Sequence, residues 1–256
     1  RSQKHSTAPE FFFSYGSMLD DCGPAFCDLL KCNNFMRELR VWEMGVNDYH
    51  LKCMSEGLKF NSTLTDLSLW INKIGDNGAV ELADALCCNS CLEKLNLSFN
   101  KIGDVGAIAL SNSLRLNSTL ISLDLTENKI SDEGCIALAE SMKINRSILS
   151  LEIGSNNIGS GILNIINCIQ YHNFHRLNLS SIDISPYSDT LFSLLENDTS
   201  IGVLCLQNTN LGDENMVKLS RALLYNKTLH TLDLSRNKIH DLGFVRILRS
   251  IMCGST

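Results

Sequence analysis

The chain has 256 residues, 44% of them hydrophobic and 20% charged, and its 28 acidic side chains outnumber 22 Lys and Arg for a net charge of −6. That balance is globular and excludes a disordered acidic chain or a collagen-like polymer. The cations form no basic run, which argues against a nucleic-acid surface, where phosphates must be neutralised.

The sequence opens Arg1-Ser2-Gln3-Lys4 without Met and without an apolar segment behind those charges. We therefore expect no retained secretory signal and a start inside a longer protein. The most apolar stretch, Gly161 to Ile169, is broken by Asn164 and Asn167 and is too short to span a bilayer.

Laid on itself, the chain repeats with a period of 28 residues, most plainly in LTDLSLWINKIGDNGAVELADALCCNSC and LEKLNLSFNKIGDVGAIALSNSLRLNST, which begin at Leu64 and Leu92. Extended both ways, the period predicts one domain of about nine units, at 8–35, 36–63, 64–91, 92–119, 120–147, 148–173, 174–200, 201–228 and 229–256. In chain order, the first two units carry Gly16 and Met44 where five of the others have Asn, so less regular turns are expected there. From the third unit the pattern is full. Apolar residues at positions 1, 4 and 6, such as Leu92, Leu95 and Leu97, predict a short strand with one buried face. Asn follows at position 9 (Asn72, Asn100, Asn128, Asn156, Asn237), where its amide can satisfy turn backbone. Asp76, Asp104, Asp132, Asp213 and Asp241 stand where the next segment begins and are expected to cap their helices. Pairs such as Leu82 and Leu86 or Leu110 and Leu114 then mark an amphipathic helix. The sixth and seventh units are shortened to 26 and 27 residues, with His172 and His175 at the junction, and Ile182 and Thr209 predict irregular turns in the seventh and eighth.

Strand, turn and helix of this size cannot bury their apolar faces alone, so the units must stack into a parallel sheet on the inside of an arc with helices outside. Asn33, Asn61, Asn89, Asn117, Asn145, Asn173 and Asn226 close the helices, which makes most of the Asn-X-Ser/Thr triplets turn residues rather than glycosylation sites. The 11 cysteines are odd in number and lack framework spacing, so reduced, mostly buried thiols and a cytoplasmic setting are expected.

The pattern LxxLxLxxNxIGxxGxxxLxxxL, recurring through nearly the whole chain, resembles the leucine-rich repeats of the ribonuclease-inhibitor-like class. Ribonuclease inhibitor alternates a Cys-bearing turn with a second type, whereas the turn position here is Asn in five units. The uniform unit is more similar to the repeat arrays of nucleotide-binding innate immune receptors. The resemblance implies an α/β leucine-rich-repeat solenoid, a horseshoe or arc with parallel strands on the concave face and helices on the convex face. It also implies a non-catalytic recognition or scaffolding module, the sensing or regulatory region of a larger cytosolic protein. The alternatives it leaves open are an activator of a small GTPase, similar to the Ran GTPase-activating protein, and a structural cytoskeletal component.

No phosphate loop, His-Glu-x-x-His helix or calcium loop occurs, so no catalytic residue, metal or other cofactor, and no small-molecule substrate, is expected. Cys88 and Cys91 have metal-like spacing but no partner pair. The expected partner is a protein on the concave face. Positions 3, 5 and 7 of each strand should line that face, placing Arg40 and Trp42 beside Trp70 with Phe99 one position on. Exposed Trp beside Arg has the composition of an interface hot spot, so partner binding is assigned to Trp42, Trp70, Arg40, Glu43 and Phe99. Asp124, Glu127 and Glu152 follow as an acidic middle that could steer a basic partner.

Overall fold

The computed structural model describes residues 10–14, 16, 19 and 21–254. The start of the expected first unit at Ala8, and Asp20, lie outside them. Among the described residues nine strands form one parallel sheet in sequence order: β1 (Glu10–Ser14), β2 (Glu38–Trp42), β3 (Asp66–Ser68), β4 (Lys94–Asn96), β5 (Ser122–Asp124), β6 (Ser150–Glu152), β7 (Arg176–Asn178), β8 (Val203–Cys205) and β9 (Thr231–Asp233). Each is followed by a helix: α1 (Cys22–Cys32), α2 (Asp48–Leu58), α3 (Asp76–Cys88), α4 (Asp104–Leu114), α5 (Asp132–Met142), α6 (Ile162–Cys168), α7 (Ser188–Asn197), α8 (Met216–Tyr225) and α9 (Asp241–Gly254). The molecule is an open α/β leucine-rich-repeat solenoid. Corresponding residues pair along the sheet, Leu67 with Leu95, Leu95 with Leu123 and Leu123 with Leu151. The inward leucines form one continuous core between sheet and helices, with Leu64, Leu67 and Leu69 fully buried and their counterparts Leu120, Leu123 and Leu125 at most 1% exposed.

Two asparagine ladders join the units. After the strand, Asn100 donates from Nδ2 to the Leu69 carbonyl of the preceding unit and the Leu97 carbonyl of its own, at 3.0 Å each, and accepts at Oδ1 from the Ile74 amide. Asn72, Asn128, Asn156 and Asn237 repeat the arrangement. At the helix ends Asn61, Asn89, Asn117, Asn145 and Asn226 reach back in the same way, as Asn117 does to Leu86 O at 2.9 Å and Asn89 O at 3.0 Å. The amide nitrogen that glycosylation would use is thus buried and donating. Cys91 takes the place of the turn hydroxyl seen at Thr63, with Sγ 3.3 Å from Asn61 O.

Three sequence expectations need correction. The aspartates do not cap their own helices: α3, α4 and α5 have Gly75, Gly103 and Ser131 at the cap, without a side-chain cap bond. Asp76, Asp104 and Asp132 lie in the first turn and cap the following helix instead, whereas Asp213 stands ahead of α8 and Asp241 opens the last described helix. Asp76 Oδ1 accepts from the amides of Gly103 at 2.7 Å and Gly106 at 2.9 Å, and Asp104 accepts from Ser131 and Gly134. Asp132 and Asp213 do the same for Gly159, Gly161, His240 and Gly243. That close approach explains Gly106, where a Cβ would meet Asp76 Oδ1 at 2.9 Å and Ala79 Cβ at 2.8 Å. Second, Asn173 is exposed and does not extend the ladder. Instead Arg146, in the fifth unit, bonds the Met142 and Asn145 carbonyls, and buried His172 of the shortened sixth unit bonds Ile148 O at 2.7 Å, while His175 just beyond it is exposed. Third, most described cysteines are not buried. Only Cys135 and Cys168 are, Cys32, Cys87 and Cys88 are exposed, and the rest are intermediate.

The irregular turns fall at the substituted positions. Gly45 beside Met44 has φ 73°, a 3-10 turn covers Ser185–Tyr187 in the seventh unit, and Asn210 beside Thr209 has φ 62°. Thr209 replaces the ladder amide with its hydroxyl, which donates to Leu206 O at 2.8 Å.

Candidate recognition surface on the concave face

The strands are three residues long over most of the sheet, and the few residues just past each strand decide what the concave face presents. Trp42 ends β2, and Trp70 lies just beyond β3 at the same position of the next unit. Parallel pairing sets adjacent strands roughly 4.8 Å apart, and the indoles stack with centroids 5.1 Å apart and planes 10° from parallel. Phe99 packs edge-on against Trp70 at 6.5 Å and 73°. Arg40 lies over the Phe12 ring at 5.3 Å, a cation–π contact that extends the group to β1, and pairs with Glu38. Trp42 and Trp70 are half-buried rather than freely exposed because each covers the other, whereas Phe99 is 48% exposed.

Glu43 and Phe99 occupy a position the pattern did not reveal. The eighth residue of the second to ninth units is left-handed: Glu43, Ile71, Phe99, Glu127, Ser155, Ser181, Asn208 and Arg236 have φ between 52° and 60°. The chain leaves the strand there, and the residue's amide donates to the next unit, Glu43 N to Ile71 O at 2.9 Å and Phe99 N to Thr126 O at 2.9 Å. Only Asn208 is of a type that favours this conformation, so the sequence carried almost no signal for it.

Next to the stack lies a hollow of about 430 Å³ walled by Arg40, Trp70, Lys94, Asn96, Asp124 and Glu152, among others. Its charges are mostly paired, Lys94 with Asp66 at 3.4 Å and Arg176 with Glu152 at 2.8 Å, and Asn178 also donates to Glu152 at 3.2 Å. Asp124 differs. Its Oδ1 accepts from the Thr126 amide at 2.9 Å, burial pushes its carboxyl above the usual range, and the nearby Glu152 charge adds to that. Arg176 acts in the opposite direction but is bonded to Glu152. The five residues assigned to partner binding therefore lie along one end of the concave face, with Phe12, Lys94 and Asp124 as neighbours that sequence reasoning did not join to them. No group of three or more His, Cys, Asp or Glu side chains among the described residues could hold a metal ion, and no described helix is long and apolar enough to cross a membrane.

Residues 60–83, 88–111, 116–139 and 225–247 match the family model described as Leucine Rich repeat. Among solved structures, an internalin (inlF) from Listeria monocytogenes str. 4b F2365 is similar at 22% identity with a TM-score of 0.51, covering 88% of this chain and 67% of its own. Leiomodin-1 actin-binding site 2 is similar at 22% identity and a TM-score of 0.49, covering 56% of this chain and 85% of its own. No curated protein matches the sequence.

Proposed function

We propose that this solenoid is a non-catalytic protein-recognition module, the sensing or regulatory repeat region of a larger cytosolic protein. Its partner docks on the concave face at Trp42 and Trp70, with Arg40, Glu43 and Phe99 around them. The observation that carries the reading is the stacked indole pair on the inner face, flanked by Phe99 and an Arg held over Phe12. A brace for a short parallel sheet does not need two indoles, because the other strands are held by the asparagine ladder and small residues such as Ser98, Thr126 and Gly154 at the same position. Aromatic and Arg side chains that are pre-ordered lose little entropy on binding and dominate interfaces. The uniform unit with a helix in every repeat supports the ribonuclease-inhibitor-like class and the receptor-array pattern. Ten free thiols among the described residues fit a reducing, cytoplasmic setting.

The test is affinity purification from the native cell with the parent and with a Trp42→Ala/Trp70→Ala variant of unchanged melting temperature. The recovered protein should bind the variant at least about tenfold more weakly, as truncation of an anchor implies. Glu81→Ala and Lys143→Ala, on the convex helices, should bind like the parent. Equal binding by the double variant places recognition elsewhere.

A further inference from the structure

We propose that the hollow beside Trp70 receives one Arg or Lys side chain of the partner protein, with its cationic head at Asp124 and its alkyl stem along the Trp70 indole. This deepens the proposed recognition function and rests on it. The charges in and around the hollow decide the sign. Arg40 is matched by Glu38, Lys94 by Asp66 and Glu152 by Arg176, which leaves Asp124 as the carboxylate of the hollow without a bonded cation among the described residues. Its polar contacts come from Thr126, the amide at 2.9 Å and the side chain, and leave acceptor capacity free. A basic side chain is the group that satisfies a half-desolvated carboxylate and an aromatic wall together, since its stem is apolar and its head is charged. Two strand steps and two residues along the strand, roughly 12 Å in all, separate Trp70 from Asp124, a span within reach of one residue's side chain plus an adjoining apolar contact on Trp42 or Phe99. An anionic ligand at Arg40 and Lys94 would have to displace two existing ion pairs.

The decisive variant is Asp124→Asn. The equivalent positions in the fourth and seventh units are already Asn, and Asn96 and Asn178 accept the same turn amide at 2.9 and 3.0 Å, so the substitution keeps the local bond and removes the charge. A phage-displayed library of random twelve-residue peptides is panned on the whole chain and counter-selected on the Trp42→Ala/Trp70→Ala variant. Because the chain has only two Trp, both in the stack, synthetic versions of the survivors are titrated by Trp emission. The survivors should share an Arg or Lys beside an apolar residue. Replacing that basic residue by Gln, or Asp124 by Asn, should weaken binding at least tenfold, and the two changes together should weaken it little more than either alone. Survivors that share an acidic residue, or that bind Asp124→Asn as tightly as the parent, would overturn the assignment while leaving the aromatic surface a docking site. If no peptide survives the counter-selection, both the assignment and the docking site fail.

Discussion

Asp104 shows at the residue scale how the repeat ties itself together. Partial burial pushes its carboxyl up, but the Ser131 hydroxyl and the amides of Ser131 and Gly134 outweigh that and hold it below the usual range. Asp132 is held low chiefly by the Gly161 amide. A carboxylate whose folded pKa is depressed stabilises the protein above its unfolded pKa, near 3.9, and this is lost as pH falls through the folded value. Asp104→Ala should therefore lower stability by about 1 to 2 kcal/mol at pH 7. The gap from the parent should narrow between pH 5 and pH 2, which denaturant titrations at a series of pH values will measure. Ile71 supplies a second residue-scale prediction. It is β-branched at φ 52°, where such a side chain is strained. Ile71→Asn should raise the denaturation midpoint, by about 1 kcal/mol. Neither feature was legible in the sequence. The Asp and Gly spacing was visible, but a chain pattern does not say whether a carboxylate turns to its own helix or the next. The strained eighth position holds Glu43, Ile71 and Phe99, residue types that advertise nothing.

The elements were far more legible, because period-2 leucines and i, i+4 leucines repeat in phase and the burial they demand has one solution. Leu123 in β5 and Leu125 just beyond it face the core at 1% and 0% exposure, so either Leu→Ala should cost about 2 to 5 kcal/mol in chemical denaturation. Less was visible where an element departs from the repeat. In unit six the helix, α6, spans only Ile162–Cys168, and the place of a ladder asparagine is taken by His172, which bonds Ile148 O, and by Arg146 of unit five, which bonds Met142 O. The aromatic pair on the inner face was legible from phase alone, since Trp42 and Trp70 share a position in consecutive units. The adjoining hollow was not, because its walls come from five strands and depend on which charges pair. Cysteine exposure also belongs to this scale. Burial pushes Cys135 up to about 12, so that thiol stays protonated and unreactive. In the native protein a thiol reagent should modify Cys32, Cys87 and Cys88 first and reach Cys135 and Cys168 last, while denaturation without reductant should release nearly all 11 thiols.

For the whole molecule, stacking along one axis means that each unit draws its stability from its neighbours, through the leucine core, the two asparagine ladders and the Asp that caps the next helix. Small-angle scattering should give a radius of gyration above the roughly 18 Å of a spherical domain of this length. The same stacking sets side chains from successive strands in rows on the inner face, and this turns two Trp of distant sequence into a single surface. The tryptophans of this proposed docking surface report on it directly because the chain has no others. The most direct measurement is acrylamide quenching of Trp emission in the chain, free and saturated with the protein recovered from the cell, using a partner preparation whose own Trp emission is subtracted. Docking on the concave aromatic group predicts a quenching constant at least about twofold lower in the complex, since interface centres exclude solvent. An unchanged quenching constant at full saturation would contradict it.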